Sequence, residues 1–122
     1  MGKTILTVDD SLSIRQAVTL TLTAAGYTVL EASGGPAALD LCRGHAVHTI
    51  LTDLNMPEMD GVELIGRLRA LPNLTFTPIV MLTTESNPEH KARGKAAGAT
   101  GWIVKPFKPD QLLAVVKRVC PP

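Results

Sequence analysis

The stretch HTILTDLNMPEMDG, residues 48–61, decides the interpretation of this chain. Its first part, His48–Thr52, is short, β-branched and apolar, which predicts a buried strand. Asp53 follows directly, and after it comes a loop with two methionines, a proline and an Asp-Gly pair. A turn after a strand uses Gly, Asn or Asp, but it does not require an acid at the very end of the buried run. The meaning of Asp53 therefore depends on what the other strands bring to the same edge.

Five short strands alternate with five helices along the chain. The strands are predicted from apolar, β-branched runs at Lys3–Val8, Tyr27–Ala32, Val47–Asp53, Thr77–Glu85 and Thr100–Pro106. Helices are predicted at 9–26, 33–44, 61–71, 88–98 and 108–120, and in the first and third of these the apolar residues fall at helical spacing. Such alternation implies parallel strands joined by right-handed crossovers, and nearly continuous apolar strands fit a sheet covered on both faces. We therefore expect a doubly wound α/β fold with a five-stranded parallel sheet.

Individual residues indicate where the helices begin and end. Ser11 or Ser13 is placed to cap the first helix, and Gly26 is placed to close it. Pro72 is expected to stop the third helix. Asn87 followed by Pro88 predicts the cap and first position of the fourth helix.

Size and charge limit the function classes. The chain has 122 residues, 45% of them hydrophobic, which is enough for the core of one domain. With 12 basic and 11 acidic residues the net charge is +1, which gives no support to nucleic-acid binding. No segment approaches the ~20 apolar residues of a membrane span, and the apolar run near the N-terminus is too short for a signal peptide. We expect a cytoplasmic monomer, a single domain over residues 1–122 with no output domain and no membrane contact.

Cysteines and histidines do not predict a metal centre. Cys42 and Cys120 lie far apart, with no metal-binding spacing. Their reduced state fits a cytoplasmic protein, and a single disulfide is the alternative that the sequence leaves open. The histidines, at 45, 48 and 90, also lack metal spacing.

The predicted strands deliver polar side chains to one edge. In an open α/β sheet, ligands bind outside the carboxyl ends of the strands. The residues there are Asp9 and Asp10 after strand one, Asp53 at the end of strand three, Thr83 near the end of strand four and Lys105 near the end of strand five. Taken singly, each has an ordinary explanation as a cap, a turn residue, a strand residue or a solvated lysine. It is their conjunction that indicates a site.

The chemistry of this set favours a divalent cation and a phosphoryl group. Three neighbouring carboxylates repel one another, and a hard cation removes that penalty. Oxygen ligands with room for waters suit Mg²⁺, and the backbone carbonyl of Asn55 is a further candidate ligand. Mg²⁺ beside a lysine and a threonine makes a site for phosphoryl oxygens. Asp53, between the acid pair and the Lys/Thr side, is the best candidate for a nucleophile that forms an acyl phosphate.

These residues resemble the receiver domain of two-component response regulators. The resemblance rests on the acid pair after strand one, DLNMPEMDG after strand three, MLTTE after strand four and GWIVKPF after strand five, in order over the whole chain. It is closest to the single-domain chemotaxis (CheY-type) members. The resemblance implies a flavodoxin-like fold with strand order 2-1-3-4-5.

The resemblance also implies a role for each residue of the edge. Asp53 would accept a phosphoryl group from the phosphohistidine of a histidine kinase. Asp10 and the carbonyl of Asn55 would bind Mg²⁺ directly together with Asp53, and Asp9 would act largely through water. Lys105, before a cis peptide bond to Pro106, would pair with the phosphoryl oxygens.

A switch and an output face are implied as well. Thr83 would be drawn toward the phosphoryl group, and Trp102 stands at the aromatic switch position, where the family more often has Tyr or Phe. The output face of helix four, strand five and helix five would include His90, Lys91, Lys95, Trp102 and Lys108. We expect it to bind a partner with an acidic segment. Gly94 in helix four costs ~1 kcal/mol relative to Ala, which fits an element that can shift.

The remaining residues of the opening loop are expected to hold Asp53 in place. Pro57 and Gly61 fit turn roles. Met56 and Met59 are interpreted as packing residues rather than as recognition residues.

Three function classes remain open at this point. The first is a chemotaxis receiver that binds a flagellar motor switch protein when phosphorylated. The second is a phosphorelay intermediate that passes its phosphoryl group to a phosphotransfer protein, or a phosphate sink. The third is a Mg²⁺-dependent aspartyl phosphatase; such enzymes resemble D-x-D after strand one, whereas here the acids are adjacent. A flavin-binding domain is disfavoured because no Ser/Thr/Gly phosphate loop follows strand one. We expect no enzyme activity beyond the protein's own phosphorylation and dephosphorylation.

Overall fold

The computed structural model describes residues 2–84 and 88–121, and within them five strands alternate with five helices. The strands are β1 (Thr4–Val8), β2 (Thr28–Ala32), β3 (Thr49–Asp53), β4 (Ile79–Thr83) and β5 (Gly101–Val104). The helices are α1 (Leu12–Ala24), α2 (Gly35–Gly44), α3 (Gly61–Arg69), α4 (Pro88–Ala97) and α5 (Pro109–Val119), with a 3₁₀ turn at Pro72–Leu74. The predicted cap Asn87 and the predicted strand end Glu85 lie outside the described residues.

The sheet is parallel and its strand order is β2-β1-β3-β4-β5. This confirms the predicted doubly wound α/β fold and the order 2-1-3-4-5. The carboxyl ends of β1, β3, β4 and β5 therefore meet at one edge, where ligands of such sheets bind.

Several strands and helices are shorter than their predicted ranges. The strand predicted at Val47–Asp53 begins at Thr49, and the strand predicted at Thr100–Pro106 ends at Val104, where its pairing with β4 ends. Helix α3 ends at Arg69 rather than at Leu71. Leu71 is extended (φ −80°, ψ 127°) because a residue before a proline is pushed out of the helical region.

The sheet has a hydrophobic core on each face, since successive side chains of a strand point to opposite sides. In β1, Leu6 belongs to one buried cluster and Ile5 to the other. The cluster around Leu6 packs against α2 and α3, for example through Leu39 and Leu64. The cluster around Ile5 packs against α1 and α5 through residues such as Leu22, Leu112 and Val116. Helices thus cover both faces, as the continuous apolar strands predicted.

The two cysteines lie in different cores, on opposite faces of the sheet. Cys42 belongs to the cluster under α2 and α3, and Cys120 belongs to the cluster under α1 and α5. Both thiols are free and buried. The sheet lies between the two clusters, so the disulfide left open by the sequence does not form in this fold.

Helix α1 shows how its ends arise from local sequence. Of the two predicted caps, Ser11 is the N-cap, and its hydroxyl accepts a hydrogen bond from the Ile14 N–H at 3.4 Å. At the other end Gly26 has a positive φ of 99°. Its N–H donates to the Thr23 carbonyl at 3.0 Å, and the Tyr27 N–H donates to the Leu22 carbonyl at 3.1 Å. These two hydrogen bonds together form a Schellman motif, and glycine suits its left-handed position.

None of the helices in the described part of the chain is long and apolar enough to cross a membrane.

Candidate functional site

Three carboxylates meet at the carboxyl edge of the sheet. Asp9 and Asp10 follow β1, and Asp53 ends the neighbouring strand β3, with Val8 paired to Thr52 one residue earlier. Each aspartate places an oxygen within 4.8 Å of the others. Asp9 and Asp53 are buried and Asp10 is exposed. Parallel pairing of β1 with β3 therefore brings the predicted acidic cluster together.

Lys105, the residue directly after β5, joins this cluster. Its Nζ lies 2.9 Å from Oδ2 of Asp9 and 3.2 Å from Oδ1 of Asp53. The Lys105 N–H donates to the carbonyl of Thr83 at 2.7 Å, which extends the contact of β5 with β4 by one residue beyond Val104. The Lys105–Pro106 peptide bond is cis, as the resemblance implies. One ammonium thus neutralises part of the charge of two carboxylates.

Asp9 is held through every polar atom it has. Its N–H donates to the Ala32 carbonyl at 3.1 Å, and its Oδ1 accepts from the Ser11 N–H at 2.9 Å. Its Oδ2 accepts from Lys105 Nζ. Its carbonyl oxygen accepts from Nη1 of Arg15 at 2.6 Å. Asp9 is therefore a fixed element of the site, whereas the neighbouring Asp10 faces solvent.

Arg15 is a residue that sequence reasoning missed. Its side chain leaves α1 and turns back to the strand ends, where its Nε also donates to Glu31 Oε1 at 3.1 Å. A lone arginine in the first turns of a helix gives no sequence signal for such a contact, because the outer face of a helix is normally charged.

The carboxyl of Asp53 sits in an environment that disfavours its charge. Burial raises its pKa above the usual value, the Lys105 ammonium acts against this rise, and the Asp9 carboxylate adds to it. A cation placed among the three carboxylates would relieve this cost.

The loop after β3 holds Asp53 through close backbone contacts. The Gly61 N–H donates to the Leu54 carbonyl at 2.8 Å. A Cβ at position 61 would collide with the carbonyl oxygen of Asp53, so this position requires glycine. Asp60 caps α3 by accepting from the Glu63 N–H at 2.8 Å. The start of α3 is thereby seated directly against the end of β3.

Packing holds the other side of the same loop. Met56 is buried in the core under α2 and α3, and Met59 packs on its edge. A Cβ at Gly35, in the first turn of α2, would lie 2.6 Å from the Met59 sulfur. The contacts of both methionines agree with their interpretation as packing residues. Asn55, between Asp53 and Met56, is exposed.

The donor set fits Mg²⁺. Within residues 2–84 and 88–121, the group Asp9, Asp10 and Asp53 is the one set of three or more side chains placed to share a metal ion. All of these ligands are oxygens, and the exposure of Asp10 leaves room for water, both of which suit Mg²⁺. The carbonyl of Asn55 stays a predicted ligand.

Thr83 is buried at the end of β4. It follows Leu82, which pairs with Asp53, and it stands beside Val104 of β5. The structure therefore places the predicted switch residue between the acceptor candidate and the strand that carries Trp102.

Part of the predicted output face is assembled. Trp102 is 39% exposed, and the Lys91 ammonium lies over its ring, 4.6 Å from the centroid. Lys95 and Lys108 are exposed, and His90 is half-buried. Lys91 is thus in contact with the indole rather than simply solvated.

Gly94 has a packing role that differs from the interpretation made from sequence. It is buried in α4, and a Cβ there would collide with the side chain of Met81 in β4. The glycine lets α4 approach the sheet closely, so it does not by itself mark a helix that shifts.

Comparison with known proteins agrees with this geometry. Residues 5–117 match the sequence model of the response regulator receiver domain. A chemotaxis protein CheY homolog of Campylobacter jejuni is 42% identical over 110 residues, which cover 88% of this chain and 85% of that protein. The structure of Vibrio cholerae chemotaxis protein CheY4 superposes with a TM-score of 0.96 at 49% identity, covering 98% of this chain and 99% of that one. A response regulator protein of Burkholderia multivorans gives a TM-score of 0.81 at 45% identity, covering 100% and 98%.

Proposed function

The chain belongs to the family of response regulator receiver domains, and on this premise we propose that it signals by accepting a phosphoryl group on Asp53. The observation that carries the proposal is the position of Lys105, whose Nζ contacts Asp53 at 3.2 Å and Asp9 at 2.9 Å. This ammonium lies where the oxygens of a phosphoryl group on Asp53 would need a positive charge.

The transfer is a displacement at phosphorus. A carboxylate oxygen of Asp53 attacks the phosphorus of a phosphohistidine on a histidine kinase. The new P–O bond forms as the P–N bond breaks, and the electron pair of that bond goes to the imidazole nitrogen. Hydrolysis reverses the modification, because water attacks phosphorus and Asp53 leaves as a carboxylate with release of inorganic phosphate. Lys105 stabilises the charge of the phosphoryl oxygens in both steps.

Asp9, Asp10, Asp53 and the carbonyl of Asn55 are the groups that would hold Mg²⁺. Bound Mg²⁺ supplies positive charge that compensates the carboxylates and polarises a phosphoryl oxygen. Asp9 already uses its two carboxylate oxygens for Ser11 and Lys105, which supports Asp10 as the direct ligand and Asp9 as a ligand through water.

The output is a binding event on the face of α4, β5 and α5. Thr83 would move toward the phosphoryl group, and Trp102, on the adjacent strand β5, would respond. Lys91, Lys95 and Lys108 make this face suitable for an acidic segment. The relatives from Campylobacter and Vibrio are named as chemotaxis proteins, which supports a flagellar motor switch protein as the partner.

The acceptor is tested by incubating the protein with acetyl phosphate and Mg²⁺ and mapping the added phosphoryl group by mass spectrometry. The wild type should gain one base-labile phosphoryl group on Asp53, and Asp53→Asn should gain none. Asp40→Asn, which changes an exposed aspartate of α2, is the matched control and should be labelled normally. Full labelling of Asp53→Asn would exclude Asp53 as the acceptor.

The output is tested by a pull-down with the beryllofluoride-activated protein and the unmodified protein. Activation-dependent capture of a motor switch protein would support the chemotaxis function. Transfer of radiolabel from Asp53 to a histidine of a phosphotransfer protein, without motor binding, would instead establish the phosphorelay alternative.

A further inference from the structure

Arg15 connects two strand ends behind the acidic pocket. Nη1 donates to the carbonyl of Asp9 at 2.6 Å, and Nε donates to Oε1 of Glu31 at 3.1 Å. Asp9 follows β1, and Glu31 is the second-to-last residue of β2. The Arg15 side chain is only 14% exposed and that of Glu31 is 36% exposed. The guanidinium is therefore held in one place by the sheet on one side and by a carboxylate on the other.

The carbonyl that Arg15 holds belongs to the peptide unit between Asp9 and Asp10. A peptide unit is planar, so fixing its oxygen also fixes the direction in which the chain continues to Asp10. The other polar atoms of Asp9 are bound by Ala32, Ser11 and Lys105. Arg15 supplies the remaining hydrogen bond, and it is the one that acts on the link between the two acids.

We propose that Arg15 is a positioning residue for the metal site. It sets the orientation of the Asp9–Asp10 peptide, and Glu31 aims its guanidinium, so that both acids are arranged for Mg²⁺ before the ion arrives. This role rests on the proposed function, since it concerns the same Mg²⁺ site.

Positioning and simple electrostatics predict opposite signs for the loss of Arg15. By charge alone, removing a cation near the acids would strengthen Mg²⁺ binding, although Glu31 offsets part of that charge. Loss of positioning weakens it, and removing the outer partners of metal ligands commonly costs about 10- to 100-fold in metal affinity. The sign of the change in Mg²⁺ affinity therefore distinguishes the two roles.

The test measures the Mg²⁺ dissociation constant of the full chain by isothermal titration calorimetry. Arg15→Gln and Arg15→Lys should both bind Mg²⁺ about 10-fold more weakly, because a lysine keeps the charge but lacks the planar fork that reaches two acceptors. Glu31→Gln should change the affinity in the same direction and by less. Arg43→Gln is the matched control: Arg43 pairs with Asp40 at the same 3.1 Å, but on the exposed side of α2, and its loss should leave the affinity unchanged.

A second measurement needs no metal. The Ser11 N–H donates to Oδ1 of Asp9, so its hydrogen exchange reports how firmly Asp9 is held. Without Mg²⁺, exchange at Ser11 should be faster in Arg15→Gln and Glu31→Gln than in the wild type and in Arg43→Gln. Should Arg15→Gln fail to fold, Glu31→Gln retains the guanidinium and carries the test through its Ser11 exchange, because loss of the Glu31 charge alone would also weaken Mg²⁺ binding.

Unchanged or tighter Mg²⁺ binding in folded Arg15→Gln, or wild-type affinity in Arg15→Lys, would overturn the positioning role. If Arg15→Gln does not fold, wild-type Ser11 exchange in metal-free Glu31→Gln would overturn it. A wild type that binds no Mg²⁺ would overturn the metal site of the proposed function as well. Wild-type binding with unaffected variants would overturn the Arg15 role alone.

Discussion

The ammonium of Lys91 lies 4.6 Å from the centre of the Trp102 ring. This contact joins α4 to β5 on the face proposed for output. Trp102 also stands beside Met81 in the strand register, and Met81 is the side chain against which Gly94 of α4 is seated. The position of α4 and the environment of the indole are therefore physically linked.

Lys91→Gln should increase the solvent access of Trp102 because the cation no longer covers the ring. The effect on stability should be small, since cation–π pairs at exposed sites contribute about 0.5–1 kcal/mol. Acrylamide quenching and the emission maximum of Trp102 measure the change. Lys95→Gln, one turn further along α4, is the control and should behave as the wild type. Equal quenching in the two variants would exclude a covering role for Lys91.

Activation by beryllofluoride at saturating Mg²⁺ should change the fluorescence of Trp102, because Thr83 and Trp102 lie on adjacent strands. Thr83→Ala should reduce this change and still allow phosphorylation of Asp53. Trp102 is 39% exposed, so burying all of its remaining exposed surface, on the order of 100 Å², would favour the active state by at most about 2.5 kcal/mol. Unaltered emission and quenching on activation would show that the ring does not report the switch.

Asp53→Asn should raise the unfolding temperature of the metal-free protein at neutral pH. Burial holds the pKa of Asp53 above its unfolded value, so the folded state binds the proton more tightly. Its contribution to stability is then largest at low pH and is lost as pH rises through the folded pKa. Each 1 kcal/mol would appear as about 4 °C in a domain of this size.

Differential scanning calorimetry across pH tests this sign. The advantage of Asp53→Asn should shrink toward pH ~4, where the unfolded carboxyl also protonates. Mg²⁺ should stabilise the wild type more than the variant. A variant less stable than the wild type at neutral pH without metal would contradict the expectation.

Gly94→Ala should destabilise the protein although alanine favours helices. The added methyl group would meet the thioether end of Met81, which is buried in the core and has little room to move aside, and overpacking of this kind costs typically 1–3 kcal/mol. Gly66→Ala in α3 is the matched control, because a Cβ there meets nothing within 4 Å. It should stabilise by roughly 0.5–1 kcal/mol. Urea unfolding compares the two, and equal free energies of unfolding would remove the packing role of Gly94.

The thiol of Cys42 should be unreactive in the native protein. Burial raises its pKa to about 11, so almost no thiolate exists at pH 8. In a Cys120→Ser variant, which leaves Cys42 as the only thiol, a disulfide reagent should react at the rate of unfolding. Rapid labelling under native conditions would contradict the buried position of Cys42.

Local sequence was sufficient for the elements and for the edge at which they meet. Strand-forming runs alternating with helical periodicity imply parallel strands, and parallel strands carry their carboxyl ends to one side. Asp9, Asp53 and Lys105 could be assigned to one edge for this reason alone. Element ends were less certain: the predicted fifth strand ran to Pro106, whereas β5 pairs with β4 only to Val104, and one further hydrogen bond joins the Lys105 N–H to Thr83.

Tertiary structure alone decided which side chains touch. Arg15 reaches Glu31, sixteen positions away, and Lys105 reaches Asp9, ninety-six positions away. The separation of Cys42 from Cys120 depends on which face of the sheet each helix covers. From sequence, Gly94 was interpreted as fitting a helix that can shift, whereas in the fold it makes room for the side chain of Met81. Periodicity and propensity act over a few residues, whereas these contacts depend on how distant segments pack. For this reason the location of the site could be predicted from the sequence, but the contacts between its side chains could be known only from the fold.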